Sequence, residues 1–338
     1  MNNKIDVIIP AYNVPDKILV QCLSSIMTQT IIDDLVITIV DDASTEENYL
    51  QIVNDFSHYM NIQLFRYEEN KGPGYARQYG LNHTFNELIT FIDADDMYCN
   101  RDSLFCLRDA IQKNDVNFVS GTFLEDSHDE NGNNIILSHY DDVVWVFAKL
   151  YKRSVINKYN IHFPPNSRAN EDCGFNLMYI SLCGERLAIG NPIYQWQGYS
   201  NSITRSATNN YKYSTNSSGC TAGYVVNYIH AMEHILRYRS LDRELLERIV
   251  EGMCVLYFGY IEEWVENPCS SELNLKWIID YFNNLYAKYE DNITSDILTE
   301  KYSQVLQNSY NKNNFNHIIP HITFYQFIQL LRNYEESK

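Results

Sequence analysis

Four short apolar runs punctuate the first hundred residues: Ile5–Ile9, Leu35–Val40, Ile62–Tyr67 and Leu88–Ile92. Each has the length and the Val/Ile/Phe content of a buried strand. Between them the period changes. Within Lys17–Thr28 the apolar residues Leu19, Leu23, Ile26 and Met27 recur at three- and four-residue steps, which predicts a helix. Glu46–Phe56 predicts a second helix, with Ser44 or Thr45 as its N-cap, and Gly74–Asn82 a third after a glycine-rich turn. Strands alternating with helices imply a mostly parallel sheet covered on both faces, an α/β fold.

The pattern continues with a helix over Arg101–Lys113, a strand from Asn117, a hairpin turn at Asn131-Gly132, and strands at Val143–Phe147 and Ile189–Trp196. Asn209–Ser218 is polar and reads as a linker. Beyond it Leu245, Leu246, Ile249, Met253, Leu256, Tyr257, Tyr260, Ile261 and Trp264 recur at helical spacing. Leu275–Tyr286, Asp296–Asn308 and Phe324–Asn333 continue that pattern. The expected organisation is a sheet-based domain over 1–210, with halves at about 1–98 and 99–210, and a small helical domain over 211–338.

Three of the strands end in polar residues: Pro10-Ala-Tyr12-Asn13, Asp41-Asp42-Ala-Ser44 and Asp93-Ala94-Asp95-Asp96. Ligands of open α/β sheets bind at the carboxyl ends of strands. Asp93 and Asp95 lie two apart, so on an extended chain they point the same way. Such a pair repels itself unless a cation binds there. A divalent metal carrying phosphates suits carboxylate oxygens. Tyr12 offers a stacking face for a base, and Asp42 can accept a hydrogen bond from a pyrimidine N–H. Gly72 and Gly74 let backbone approach a ligand at a helix N-terminus, with Arg77 one turn further on.

The formal net charge is −17, and residues 1–110 hold 7 Lys+Arg against 17 Asp+Glu. That acidity opposes nonspecific binding to nucleic acid and a polybasic membrane anchor. No apolar stretch is long enough to span a bilayer and no signal peptide is visible. The eight cysteines form no CxxC pair, which reads as reduced thiols in a cytoplasmic protein. Glycines at GxGxxG spacing do not follow the first strand, so a dehydrogenase is excluded.

Five motifs then stand in one order: Val7-Ile-Ile-Pro10-Ala-Tyr12-Asn13, Val40-Asp-Asp42-Ala-Ser44, Asn70-Lys-Gly72-Pro-Gly-Tyr-Ala-Arg77, Phe91-Ile-Asp93-Ala94-Asp95-Asp96 and Glu171-Asp172. In this set, over about residues 4–205, the chain resembles a family 2 glycosyltransferase of the GT-A fold. The resemblance implies an inverting enzyme that moves one sugar from a UDP-sugar to a glycan or polyol hydroxyl. It implies Asp95 as the metal ligand for Mn²⁺ or Mg²⁺, Asp93 near the ribose, Asp96 as support and Asp172 as general base. Pro10, Tyr12, Asp42, Asn70, Gly72, Arg77 and Ala94 would complete the nucleotide site. Glu125, Asp126, Asp141 and Asp142 are rival bases.

The stretch Tyr194–Arg205 resembles a segment that closes over the diphosphate, with Ser202 and Arg205 as phosphate contacts. It carries Gln197 and Tyr199 where relatives often have Arg and His. The QxxRW signature of processive synthases is absent. A nucleotidyltransferase, a non-catalytic nucleotide- or glycan-binding module and a transferase acting on DNA remain open alternatives. The expected setting is the cytoplasm, with peripheral attachment at the inner membrane face as a variant. The C-terminal helices are the candidate surface for a homo-oligomer.

Overall fold

The computed structural model describes residues 4–45, 49–129, 131–165, 170–198, 215–266, 275–313 and 320–336. The chain forms two compact units, 1–207 and 208–338.

The first unit is built on nine strands and six helices among the described residues. In chain order these are β1 (Ile5–Ala11), α1 (Asp16–Met27), β2 (Leu35–Asp41), α2 (Tyr49–Ser57), β3 (Ile62–Arg66), α3 (Pro73–Asn82) and β4 (Leu88–Phe91). There follow β5 (Met97–Tyr98), α4 (Ser103–Lys113), β6 (Phe118–His128), β7 (Asn134–His139), β8 (Lys149–Lys152), α5 (Arg153–Tyr159), α6 (Glu171–Leu182) and β9 (Arg186–Trp196). The sheet runs in the order β3-β2-β1-β4-β8-β6-β9-β5, with β7 paired to β6.

Strands β3, β2, β1 and β4 are mutually parallel, so their carboxyl ends share one edge. Every residue of β1 is buried, as a strand covered on both faces requires. Helix α1 adds Leu19, Cys22, Leu23 and Ile26 to the same core. Antiparallel β8 then continues the sheet to β6, which pairs in parallel with β9.

Two sequence expectations are corrected. Val143–Phe147 is not a strand; Phe147 makes one isolated bridge to Phe91 and β8 starts at Lys149. The Asp142 carboxylate accepts the N–H groups of Val144 and Trp145, both at 3.0 Å, and this local turn overrides the β-branched run. Ala148, at φ 56°, then resets the chain into β8. The linker expected at Asn209–Ser218 lies outside the described residues up to 214, and from Thr215 the chain is helical.

The second unit contains α7 (Thr215–Ile235), α8 (Arg243–Glu266), α9 (Leu275–Tyr281) with a following π turn, α10 (Ser295–Asn313) and α11 (Phe324–Glu336). Leu245, Ile249, Met253 and Tyr257 of α8 are its buried stripe. Buried tyrosine hydroxyls are satisfied by carbonyls: Tyr281 donates to Ile249 and Tyr257 to Ile322, each at 2.7 Å.

Candidate active site

The shared edge of β1, β2 and β4 carries the site. Tyr12 follows β1 and is 46% exposed, so its ring is available as a stacking face. Pro10 lies inside β1 opposite Val40. The adjoining loops are locked together. Asn13 N–H donates to Ser44 Oγ at 2.9 Å, and Thr45 N–H to Asn13 Oδ1 at 2.8 Å.

Asp42 is buried and holds the glycine loop: Lys71 N–H donates to one carboxylate oxygen at 2.7 Å and Gly72 N–H to the other at 2.8 Å. Asn70 Nδ2 reaches the Asp42 carbonyl at 3.3 Å. Each carboxylate oxygen has a second lone pair. Gly72 stands at φ 89° and ψ 165°, a conformation only glycine adopts readily, and Pro73 opens α3 behind it.

Arg77 is the centre of the arrangement. Sequence reasoning directed it to the nucleotide; the structure turns it inward. It is 4% exposed, with its guanidinium on three carboxylates: Asp93 at 2.6 Å, Asp172 at 2.7 Å and Glu171 at 2.8 Å. Burial works against the guanidinium charge, but Asp172, Asp93 and Glu171 outweigh it and hold the group protonated. One buried cation therefore joins the acidic tip beyond β4 to the first turn of α6. Gly74 makes the approach feasible, because a Cβ there would lie 2.6 Å from Glu171 Cγ.

Asp172 is buried, and burial pushes its carboxyl up to about 7. Arg77 pulls it down, while Glu171 and Asp93 push it up. Its Oδ2 accepts the Val146 N–H at 3.4 Å. Asn176, one turn along α6, holds the same loop by donating to the Val144 and Trp145 carbonyls, both at 2.8 Å. The rival carboxylates are engaged elsewhere: Glu125 with His139 at 2.7 Å, Asp126 with Gln195 at 2.6 Å, and Asp141 with Arg186 at 2.7 Å. Asp142 caps the turn described above.

Within the acidic cluster the three aspartates differ. Asp93 is held by Arg77. Asp96 is buried, accepting from Tyr194 Oη at 2.5 Å and from Gln197 N–H at 2.7 Å. Burial first, then Asp95 and Asp93, raise the Asp96 carboxyl well above its ordinary range. Asp95 is partly exposed, beside buried Ala94.

Among the described residues no group of three or more His, Cys, Asp or Glu side chains forms a metal cage. A cation that also takes phosphate oxygens needs only one or two carboxylates. A partly exposed carboxylate beside Asp93 and Asp96 fits that demand.

The contacts of two further residues escaped sequence reasoning. Tyr194 bonds both Asp96 and the Asp93 N–H, the latter at 3.3 Å. Lys149 is buried, with Asp142 at 3.7 Å, and burial lowers its ammonium to about 8 against the pull of Asp142 and Asp172. Tyr194 opens the Tyr194–Arg205 stretch and Lys149 lies in no motif; the pairing of β6 with both β8 and β9 brings their contacts here. Tyr199, Ser202 and Arg205 lie outside the described residues.

Sheet order, strand-end carboxylates and flanking helices together define the GT-A architecture. The chain belongs to the family described as Glycosyl transferase family 2, whose model matches residues 6–185. It is 31% identical over 159 residues to "Glycosyltransferase GlyA" of Streptococcus pneumoniae, covering 45% of this chain and 22% of that protein. It is 27% identical over 198 residues to "Poly(ribitol-phosphate) beta-N-acetylglucosaminyltransferase TarS" of Staphylococcus aureus, covering 52% of this chain and 32% of that one. These matches thus span only a fifth to a third of those relatives' length. The crystal structure of S. aureus TarS 1–349 in complex with UDP-GlcNAc superimposes with a TM-score of 0.60 at 18% identity, covering 91% of this chain and 92% of that one. At that identity the likeness concerns the fold. No described helix is long and apolar enough to cross a membrane.

Proposed function

We propose that the protein is an inverting glycosyltransferase that moves a single hexose or N-acetylhexosamine from a UDP-sugar to an acceptor hydroxyl of a glycan. The observation that carries this reading is the Arg77 junction, which fixes Asp93 and Asp172 on one guanidinium. A donor-side carboxylate and a candidate base are thereby held in a set relation.

Residues 1–98 would bind the nucleotide, with Tyr12 against the uracil and Asp42 organising the Asn70–Gly72 loop beside it. Residues 99–210 would hold the acceptor. Asp172 removes the proton from the acceptor hydroxyl as that oxygen attacks the anomeric carbon from the face opposite UDP. A carboxyl near 7 suits this task, since a base works best with a pKa close to the operating pH. With one base and no carboxylate nucleophile, displacement is single and the configuration inverts.

Asp95 would hold Mn²⁺ or Mg²⁺, with Asp96 behind it. Such a cation would neutralise charge developing on the departing diphosphate. TarS in complex with UDP-GlcNAc supports the choice of donor class. The relative named "Poly(ribitol-phosphate) beta-glucosyltransferase" of Bacillus spizizenii, 29% identical over 190 residues, supports a hexose as the alternative sugar. A cytoplasmic setting and association through the C-terminal helices are part of the same proposal. The test is release of free UDP from UDP-GlcNAc and UDP-glucose with Mn²⁺. Release is expected; the absence of both UDP release and UDP binding with every UDP-sugar would remove the proposal.

A further inference from the structure

Two aromatic rungs stand beside the candidate base. Phe147 and Tyr194 form the inner one. Both are buried, and their rings stack at 4.3 Å with 4° between the planes. Tyr194 is the residue that bonds Asp96. Two residues away in each segment come Trp145 and Trp196, forming the outer rung. Trp145 lies parallel to Phe147 at 5.9 Å and 6°. The two indoles are 5.2 Å apart and inclined at 56°. Phe123 backs the group, 5.1 Å from Phe147 and 6.3 Å from Trp196. The inner rung fills the core; the outer one is only partly buried and adjoins Val144, which is 39% exposed.

The position of the outer rung is informative. Trp145 precedes Val146, whose N–H bonds Asp172 at 3.4 Å. Trp196 precedes Gln197, whose N–H bonds Asp96 at 2.7 Å. The segments that carry the two indoles thus also bond the candidate base and the acidic cluster. In a single displacement the acceptor must lie there, with its hydroxyl at the base and the donor sugar on the cluster side.

We propose that Trp145 and Trp196 form a stacking platform for a pyranose ring of the acceptor, which makes the acceptor a neutral saccharide rather than a polyol phosphate. This rests on the transferase reading above. A pyranose has a flat C–H face that an indole can cover, with hydroxyls at its rim for polar neighbours. The neighbours are carboxylates that each have a basic partner: Asp142 lies 3.7 Å from Lys149 and Glu125 2.7 Å from His139. Asp142 accepts the Trp145 N–H at 3.0 Å, and Glu125 lies opposite Trp196 in the β6–β9 register. Carboxylates accept sugar hydroxyls. A linear polyol has no flat face to stack.

The experiment uses the full chain with UDP-GlcNAc and Mn²⁺. N-acetylglucosamine, cellobiose, lactose and ribitol 5-phosphate are compared as acceptors, and the fastest saccharide is carried forward. Trp145→Ala and Trp196→Ala should each raise its KM about tenfold or more, with UDP affinity by calorimetry retained. Should either variant fail to fold, the unmutated protein decides. The saccharide at saturation should shield Trp145 and Trp196 from N-bromosuccinimide oxidation, located by peptide mass spectrometry. Unchanged KM in variants that bind UDP, unshielded indoles, or preference for ribitol 5-phosphate would overturn the platform alone. No UDP release from any UDP-sugar would instead remove the transferase reading beneath it.

Discussion

Arg77 carries more of the site's electrostatics than any other side chain. Three carboxylates share one buried guanidinium, so its removal leaves charges without compensation. Arg77→Ala should cost about 3–5 kcal/mol, read as a lower urea midpoint at pH 7.5. Arg77→Lys should recover part of that stability, because an ammonium is a point charge and cannot fork to three partners. Asp172→Asn keeps the size of the side chain but removes the base. Transfer should fall about 10²–10⁴-fold. The pH profile of kcat/KM offers a second check on the same residue. Burial raises the Asp172 carboxyl to about 7, so the base is protonated below that pH and the rate falls on the acid side. A profile flat down to pH 5 would exclude Asp172 as the titrating base.

At the scale of elements, the approach of α3 to α6 determines where Asp172 sits. A methyl group at Gly74 would press on Glu171 Cγ at 2.6 Å. Gly74→Ala should therefore lower kcat more than it weakens UDP, measured by steady-state kinetics beside calorimetry. Gly72→Ala acts on the loop instead. It should cost about 1–3 kcal/mol in thermal or urea unfolding and weaken UDP, since φ 89° with ψ 165° strains any side chain.

These elements were legible in sequence wherever apolar period and turn chemistry agreed. The run Ile5–Ile9 and the amphipathic spacing of α1 needed no tertiary knowledge. Val143–Phe147 misled because one carboxylate, Asp142, outcompetes five residues of β-type composition. The candidate site residues were named from motifs at strand ends, on α3 and at the start of α6. Their contacts were not, because Arg77 meets Glu171 and Asp172 across more than ninety residues of chain. The contacts of Tyr194 and Trp196 likewise depend on β9 lying beside β6, and Trp145 reaches Trp196 from the loop before β8.

For the whole molecule, the first unit supplies a parallel edge on which nucleotide chemistry is concentrated, and its acidity calls for a cation. Asp95→Ala should abolish the Mn²⁺ dependence of UDP binding while leaving the unfolding midpoint near that of the unmutated protein. A variant whose UDP affinity still rises with Mn²⁺ would place the cation elsewhere. The second unit folds around the α8 stripe and its aromatic neighbours. The central claim is that Asp172 activates an acceptor hydroxyl at a UDP-sugar site. It is tested most directly by comparing the unmutated protein with Asp172→Asn for sugar transfer from UDP-GlcNAc with Mn²⁺ at pH 8, alongside UDP affinity by calorimetry. Transfer should collapse while UDP affinity is retained. Transfer that survives in Asp172→Asn, or UDP affinity lost together with it, would contradict the assignment of Asp172 as the base.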